Sequence, residues 1–247
     1  MKSGTTYITT SWDDGHPLDM RLAELLSKHG LPATFYIPLS NERPVVSPAQ
    51  IRELSAQFEV GGHTMNHRDL TSVSNDVGRR EITDCKHALE QVTGKPVTSF
   101  CFPLGHFRPQ HLTHVKEAGY RVARTVELMS LEAPRLRDGA LLMPTTIQAV
   151  PAGLVTYARN SLKRLRPFNL IRYLRFKREN WVSTAETVLR RALDSGGVFH
   201  LWGHSWEIEE HQAWKDVERI LAMLAACRER AVFGDNSALS ETLAVNR

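Results

Sequence analysis

Two imidazoles stand four positions apart in the stretch Gly61-Gly62-His63-Thr64-Met65-Asn66-His67. Neutral imidazole nitrogen is a good ligand for zinc and similar divalent ions, at about 2.0–2.1 Å. On a helical turn that spacing puts both rings on one face. Two ligands do not make a site, so a third must come from elsewhere in the chain. The best candidate is Ser11-Trp12-Asp13-Asp14-Gly15, with its paired carboxylates. One carboxylate and two imidazoles form a three-ligand set with a position left open. An ion there polarises a carbonyl and lowers the pKa of water toward neutrality. The second carboxylate can take a proton as general base, and a histidine opposite can protonate a leaving amine. That is a plan for amide or ester hydrolysis. Each piece also has an ordinary reading: Asp14-Gly15 is a common turn dipeptide, and paired histidines are often surface polar residues.

The elements that must position these groups are legible as alternating strands and helices. Tyr7–Trp12 is rich in β-branched and aromatic residues and ends at Asp13-Asp14-Gly15, as a strand would. A helix is predicted from Pro17 to His29, with an apolar stripe at Leu18, Leu22, Leu25 and Leu26. Strands follow at Thr34–Ile37 and Phe58–Gly61, separated by a helix from Pro48 to Gln57. Asn75 can cap a helix running to about Val92 and stopped at Gly94. Thr98–Phe102 and Tyr120–Val126 read as strands around a helix from Pro109 to Ala118. Leu141–Ile147 reads as a strand interrupted by Pro144. Ser183 and Glu186 have capping-box spacing, which predicts a helix to about Ser195. Val198–Trp202 is a late strand, Ala213–Arg228 a long amphipathic helix, and the C-terminal residues add a further strand and helix.

This alternation predicts an α/β fold with a parallel sheet curled into a barrel. Asp13-Asp14, His63/His67, Pro103-Leu104-Gly105 and His204 each follow the C-terminal end of a predicted strand. In a (β/α) barrel those ends gather on one face, where active sites lie.

Composition narrows the class. The chain has 247 residues, 42% hydrophobic and 23% charged, ordinary values for a globular protein with a substantial core. Cys85, Cys101 and Cys227 are odd in number and far apart, so neither a disulfide framework nor a zinc ribbon is expected. Cys101 reads as a buried filler. No apolar signal-peptide core follows Met1, and no apolar run could span a bilayer, which predicts a cytoplasmic protein. The net charge of +4 is local in origin. Between Arg159 and Asn180 there are eight Lys/Arg against one acid, Glu179, so the remainder is net acidic and a general nucleic-acid binder is not expected. Within that stretch Leu162, Leu165, Phe168, Ile171 and Leu174 recur at helical spacing. It reads as a solvated insertion or oligomer contact, or as a surface for an anionic membrane or glycan.

These residues resemble the NodB-homology polysaccharide deacetylases, carbohydrate esterase family 4. Ser11-Trp12-Asp13-Asp14-Gly15 is similar to the first family motif, Thr-Phe-Asp-Asp-Gly. His63-Thr64-Met65-Asn66-His67 matches the second, His-[Ser/Thr]-x-x-His. Phe102-Pro103-Leu104-Gly105 resembles the third, and His200-Leu201-Trp202-Gly203-His204 the last. The resemblance implies one catalytic domain over 1–247, with 151–180 a basic insertion. The implied fold is a distorted (β/α) barrel of the polysaccharide deacetylase type with fewer than eight complete β/α units. It implies Asp13 as general base, His204 as general acid, and the Leu104 backbone N–H facing the developing oxyanion. Asp14, His63 and His67 become ligands of a divalent metal, zinc first, with cobalt or nickel as alternatives.

The substrate implied is an N-acetylated sugar in a glycan or glycolipid. Trp12, Pro103, Trp202 and Trp206 are the candidate sugar contacts, since aromatic faces stack on sugar rings. The chain departs from the family pattern in two places. No arginine opens the third motif, where Cys101 stands; Arg108 and Arg124 are candidate substitutes. Nothing matches the fourth motif, Asp-x-x-Asp-Trp, so the acid lacks an identified partner. His200 competes with His204 for the acid's role, and His204 is favoured for its place at the strand end. Two other functions remain open: a cyclic-imide or other non-sugar amide hydrolase on the same barrel, and a catalytically silent sugar-binding homologue.

Overall fold

Everything in the sheet is arranged about its first strand. In the computed structural model, which describes residues 4–245, β1 (Thr6–Asp13) is buried along its whole length. Such continuous burial is typical of a central parallel strand covered on both faces. The chain continues through α1 (Asp19–Lys28), β2 (Thr34–Ile37), α2 (Pro48–Gln57), β3 (Glu59–Gly62), α3 (Asn75–Thr93), β4 (Ser99–Cys101), α4 (Pro109–Glu117) and β5 (Val122–Arg124). Three short strands follow, β6 (Arg135–Arg137), β7 (Ala140–Met143) and β8 (Ile147–Gln148). Helices α5 (Leu154–Lys163), α6 (Pro167–Phe176) and α7 (Trp181–Ser195) lead to β9 (Gly197–Gly203). The chain ends with α8 (Ser205–Glu210), α9 (Trp214–Ala225), β10 (Ala231–Phe233) and α10 (Asn236–Val245).

The strands form one sheet in the order β6-β7-β5-β4-β3-β2-β1-β9-β8, with β10 also paired to β1. Every pairing is parallel except β6 with β7. The β1–β9 register sets Thr9 opposite His200 and Trp12 opposite Gly203, so the two strands finish at the same level. The sheet curls into a distorted barrel with fewer than eight complete β/α units, as expected. The main apolar core spans the sheet and its helices and includes Ile8, Leu22, Phe35, Phe100, Phe199 and Val217.

Several boundaries differ from the sequence reading for local reasons. The cap of α3 is Ser74, whose Oγ accepts from the Val77 N–H, and Asn75 is already helical. Helix α7 begins two residues before Ser183, because Asn180 Oδ1 accepts the Ser183 N–H at 2.9 Å. Pro144, which lacks a backbone donor, divides the predicted Leu141–Ile147 strand into β7 and β8. No helix among the described residues is long and apolar enough to cross a membrane.

Candidate active site

The strand ends deliver the carboxylates and histidines to one cleft of about 670 Å³. Asp13, Asp14, His63, His67, Leu104, Trp202, His204 and Trp206 all line it. Asp14 follows β1 in the left-handed region (φ 76°), and Gly15 continues there (φ 58°). A Cβ on Gly15 would stand 2.8 Å from Ile37, so glycine is needed for this turn on both counts.

The two histidines do not lie on a helical turn. An irregular loop follows β3, and Thr64 (φ 63°) and His67 (φ 50°) both adopt left-handed backbone. That folding back brings the rings to a centroid separation of 4.9 Å. Glu81 of α3 holds the loop: its carboxylate accepts the Asn66 N–H and side-chain amide, each at 2.8 Å, and its carbonyl accepts the Met65 N–H. Glu81 was missed from sequence. Its signal is a carboxylate on the buried face of α3, beside Gly78, Ile82, Cys85 and Leu89.

Three donor atoms converge here. Asp14 Oδ1 lies 3.4 Å from His63 Nε2 and 3.0 Å from His67 Nε2. It is buried and, among the described residues, has no hydrogen-bond partner of acceptable geometry. His63 Nδ1 lies 2.8 Å from the Cys101 carbonyl, which can only accept, so Nδ1 carries a proton and Nε2, turned toward Asp14, is the atom that would bind a metal. An orphaned carboxylate oxygen facing two imidazole nitrogens, all within 4.8 Å of one another, fits a divalent cation. The other Asp14 oxygen accepts from Trp206 Nε1 at 2.9 Å. Burial works against the Asp14 charge, but the facing His63 and His67 rings hold its pKa far below the usual carboxylate range.

Asp13 stands beside this group without joining it. Its Oδ1 is paired with Arg124 Nη2, and the Cys101 thiol points at Oδ2. Burial pushes the Cys101 thiol up, which keeps it a neutral S–H. Burial alone would also raise the pKa of Asp13; Arg124 first, then His63 and His204, outweighs it and holds the carboxyl below its ordinary value. Arg124 is itself fully buried and packs over the Trp202 ring at 4.7 Å. Of the two arginines considered for the missing motif position, Arg124 meets Asp13, whereas Arg108 bonds the Thr71 carbonyl.

Across the cleft, His204 Nε2 lies 3.9 Å from Asp13 Oδ2 and 4.0 Å from Asp14 Oδ2. Its Nδ1 meets Glu207 Oε2 at 2.6 Å, and Gln148 donates to the same carboxylate at 2.9 Å. Burial disfavours a charged His204, but Glu207 overrides this and raises its pKa. Glu207 is the partner that sequence left unidentified. His200 lies elsewhere. It is fully buried, with Nδ1 on the Pro144 carbonyl at 2.9 Å and Nε2 2.8 Å from Ser11 Oγ. Burial and then Arg124 lower its pKa to about 3, so it is neutral.

The aromatic candidates separate. Trp202 and Trp206 border the cleft, and Arg43 packs over the Trp206 ring at 3.7 Å. Trp12 does not line the cleft; it is fully buried in the main core. Strand alternation explains this, since Ser11 and Asp13 share the face toward His200 and Arg124, and Trp12 takes the other. Pro103 is likewise buried behind the lining, while Leu104 projects at the cleft mouth, 62% exposed, on left-handed backbone (φ 56°).

A curled, mostly parallel sheet with carboxylates and histidines at its strand ends defines a deacetylase-type barrel. Residues 2–123 match the polysaccharide deacetylase family model, and the chain belongs to that family. Among curated proteins it is similar to an uncharacterised 30.6 kDa protein of Geobacillus stearothermophilus, 25% identical over 118 residues. That match covers 46% of this chain, and the chain spans 44% of the length of that relative. Among solved structures, a candidate polysaccharide deacetylase from Mycobacterium smegmatis superposes with a TM-score of 0.68 at 15% identity, covering 100% of this chain and 93% of the other. The peptidoglycan deacetylase PdaC of Bacillus subtilis, as its D285S mutant, gives 0.59 at 15% identity, covering 98% and 93%. These two likenesses are likenesses of fold.

Proposed function

We propose that the protein is a metal-dependent hydrolase that removes the acetyl group from an N-acetylated amino sugar. The observation that carries this reading is the arrangement of three groups around one cleft. Asp14, His63 and His67 offer a ligand set, Asp13–Arg124 a fixed carboxylate, and His204–Glu207 a fixed imidazole.

A divalent cation held by Asp14, His63 and His67, zinc or else cobalt or nickel, would polarise the acetyl carbonyl and make water more acidic. Asp13 takes the proton from the attacking water. Arg124 keeps Asp13 ionised through the neutral range, so the base is always ready, though weak. Glu207 raises the pKa of His204 and so favours its protonated form, and His204 gives its proton to the amine nitrogen as the C–N bond breaks. The products are acetate and the free amino sugar. The Leu104 backbone N–H is assigned to the carbonyl oxygen as negative charge develops there. Trp202 and Trp206 supply flat apolar faces for the sugar ring.

The test is an acetate-release screen over N-acetylated sugars, with zinc and cobalt added in turn, run beside small cyclic imides. Release from a sugar that Asp13→Asn abolishes with metal content intact is the expected result. Hydrolysis confined to imides would give the protein to the non-sugar amidohydrolases, and turnover surviving in Asp13→Asn would remove Asp13 as base.

A further inference from the structure

The exposed large apolar side chains are concentrated in one place. Of the ten such residues among the described ones, seven fall between 154 and 174: Leu154, Val155, Leu162, Leu165, Phe168, Ile171 and Leu174. They sit on the hairpin formed by α5 and α6. On α5, Leu154, Val155 and Leu162 fall within a sector of about 100°. On α6, Phe168, Ile171 and Leu174 recur every third residue along one side. The opposite sides hold the hairpin to the body. Asn160 bonds the Val126 carbonyl at 2.7 Å and Asn169 reaches Glu127 at 3.2 Å, while Tyr157 of α5 stacks on Tyr173 of α6 at 3.9 Å and ties the two helices to each other.

Leu165, at the hairpin turn, is the sharpest case. It is 84% exposed and occupies left-handed backbone (φ 53°), where a leucine is strained and glycine or asparagine is favoured. Packing within this chain does not repay a leucine there. Around the apolar side lie the exposed Arg159, Arg175, Lys177 and Arg178, none of which forms an ion pair among the described residues. An apolar stripe bordered by uncompensated cations matches the surface of an anionic bilayer, where the side chains enter the acyl boundary and the charges meet headgroups. A second copy of the chain would bring like charge against like charge.

We propose that the α5–α6 hairpin docks this protein on an anionic lipid surface. The contact is peripheral, since no helix among the described residues is long and apolar enough to cross. The hairpin also abuts the cleft. Arg164 Nη2 donates to the Gly105 carbonyl at 3.0 Å, next to Leu104 at the mouth. Docking therefore sets the cleft beside the headgroup layer. Resting on the deacetylase reading, this points to an acetylated sugar carried on a lipid as the substrate class.

The test is co-sedimentation with phosphatidylglycerol-containing vesicles, phosphatidylcholine vesicles, and the anionic vesicles at high salt. The wild-type chain is expected to pellet with the anionic vesicles and to be released by salt. Leu165→Ser, Phe168→Ser and Ile171→Ser combined should lower the bound fraction by about ten-fold or more, with the thermal melt and acetate release from a soluble sugar unchanged. Wild-type protein remaining in the supernatant would overturn the proposal. So would a combined variant that pellets like the wild type, or a wild-type dimer that the variant converts to monomer without vesicle binding. Vesicle binding without any acetate release would leave the docking surface standing and sink the deacetylase reading instead.

Discussion

Arg124 and Asp13 are 111 positions apart in the chain, and their side chains form an ion pair closed to solvent. Removing one partner of such a pair leaves the other as an uncompensated buried charge, at a cost of about 3–5 kcal/mol. Arg124→Met should therefore lower the melting temperature strongly. It should also move the acid limb of the kcat/KM profile to higher pH. The base works only when ionised, so activity is lost as pH falls through its pKa, and Arg124 is the first of the groups that hold that value down. For stability the sign is the same: the depressed pKa of Asp13 stabilises the fold above the unfolded value and is lost as pH falls through the folded one. An acid limb unmoved in a folded Arg124→Met protein would show that Asp13 is not the titrating base.

Glu207 makes the matching prediction on the alkaline side. Burial opposes a charged His204, and the Glu207 hydrogen bond and charge raise its pKa despite that. A general acid works only when protonated, so activity falls as pH rises through that value. Glu207→Gln should bring the alkaline limb to lower pH. The same substitution should remove the stability that a raised histidine pKa supplies below its unfolded value. A pH–rate series on wild type and Glu207→Gln checks this, and coincident alkaline limbs would free His204 from the acid's role.

His200 and His204 lie four positions apart and should respond oppositely to replacement. His200→Ala leaves the Ser11 hydroxyl and the Pro144 carbonyl short of a partner, at about 1–3 kcal/mol each, with a cavity besides. Its folded pKa is about 3, so the unfolded state binds a proton that the folded state refuses as pH falls below about 6.5. Wild-type stability should drop across that window, and His200→Ala should flatten the drop. His204→Ala also forfeits the Glu207 pairing, but His204 fills no core position, so this variant should melt closer to the wild type than His200→Ala and lose about 10²-fold or more in kcat. Activity per folded molecule settles the pair: a larger loss in His200→Ala than in His204→Ala would reverse the assignment.

What the sequence disclosed and what it hid divide along a physical line. Asp13, Asp14, His63, His67 and His204 follow short β-branched or apolar runs ending at glycine or a turn, so their shared level in the sheet could be read locally. Their partners could not. Arg124 meets Asp13 only through the β1-to-β5 strand order, which no local pattern encodes, and Arg108 looked equally eligible. Glu207 lies one helical turn beyond His204, yet nothing in Ser205-Trp206-Glu207 marks a partner for the ring. Trp12 was misjudged because aromatic residues at a strand end suit a core and a sugar site equally; parity with Asp13 decides for the core. The facing of His63 and His67, argued from the spacing of a helical turn, is reached instead by a loop with two left-handed residues.

That loop makes the last prediction. Thr64 and His67 occupy backbone regions costly for side chains with a Cβ, so the ligand geometry has to be held from outside. The Glu81 carboxylate is the clamp: it accepts from the Asn66 side chain and the Asn66 backbone N–H at once, whereas the Met65 N–H rests on the Glu81 main-chain carbonyl, which substitution leaves in place. Without it the loop can relax, and the His67 ring would leave Asp14 while His63, tied to the Cys101 carbonyl, stays. Groups that orient ligands without touching the ion are commonly worth about 10–100-fold in affinity. Glu81→Ala should weaken zinc binding on that scale in a chelator competition, with Glu81→Gln in between because it keeps one acceptor. Zinc should also raise the wild-type melting temperature more than that of Glu81→Ala at equal concentration. Equal zinc affinity in the two proteins would mean that the histidine pair holds its own geometry and that Glu81 serves only the packing of α3.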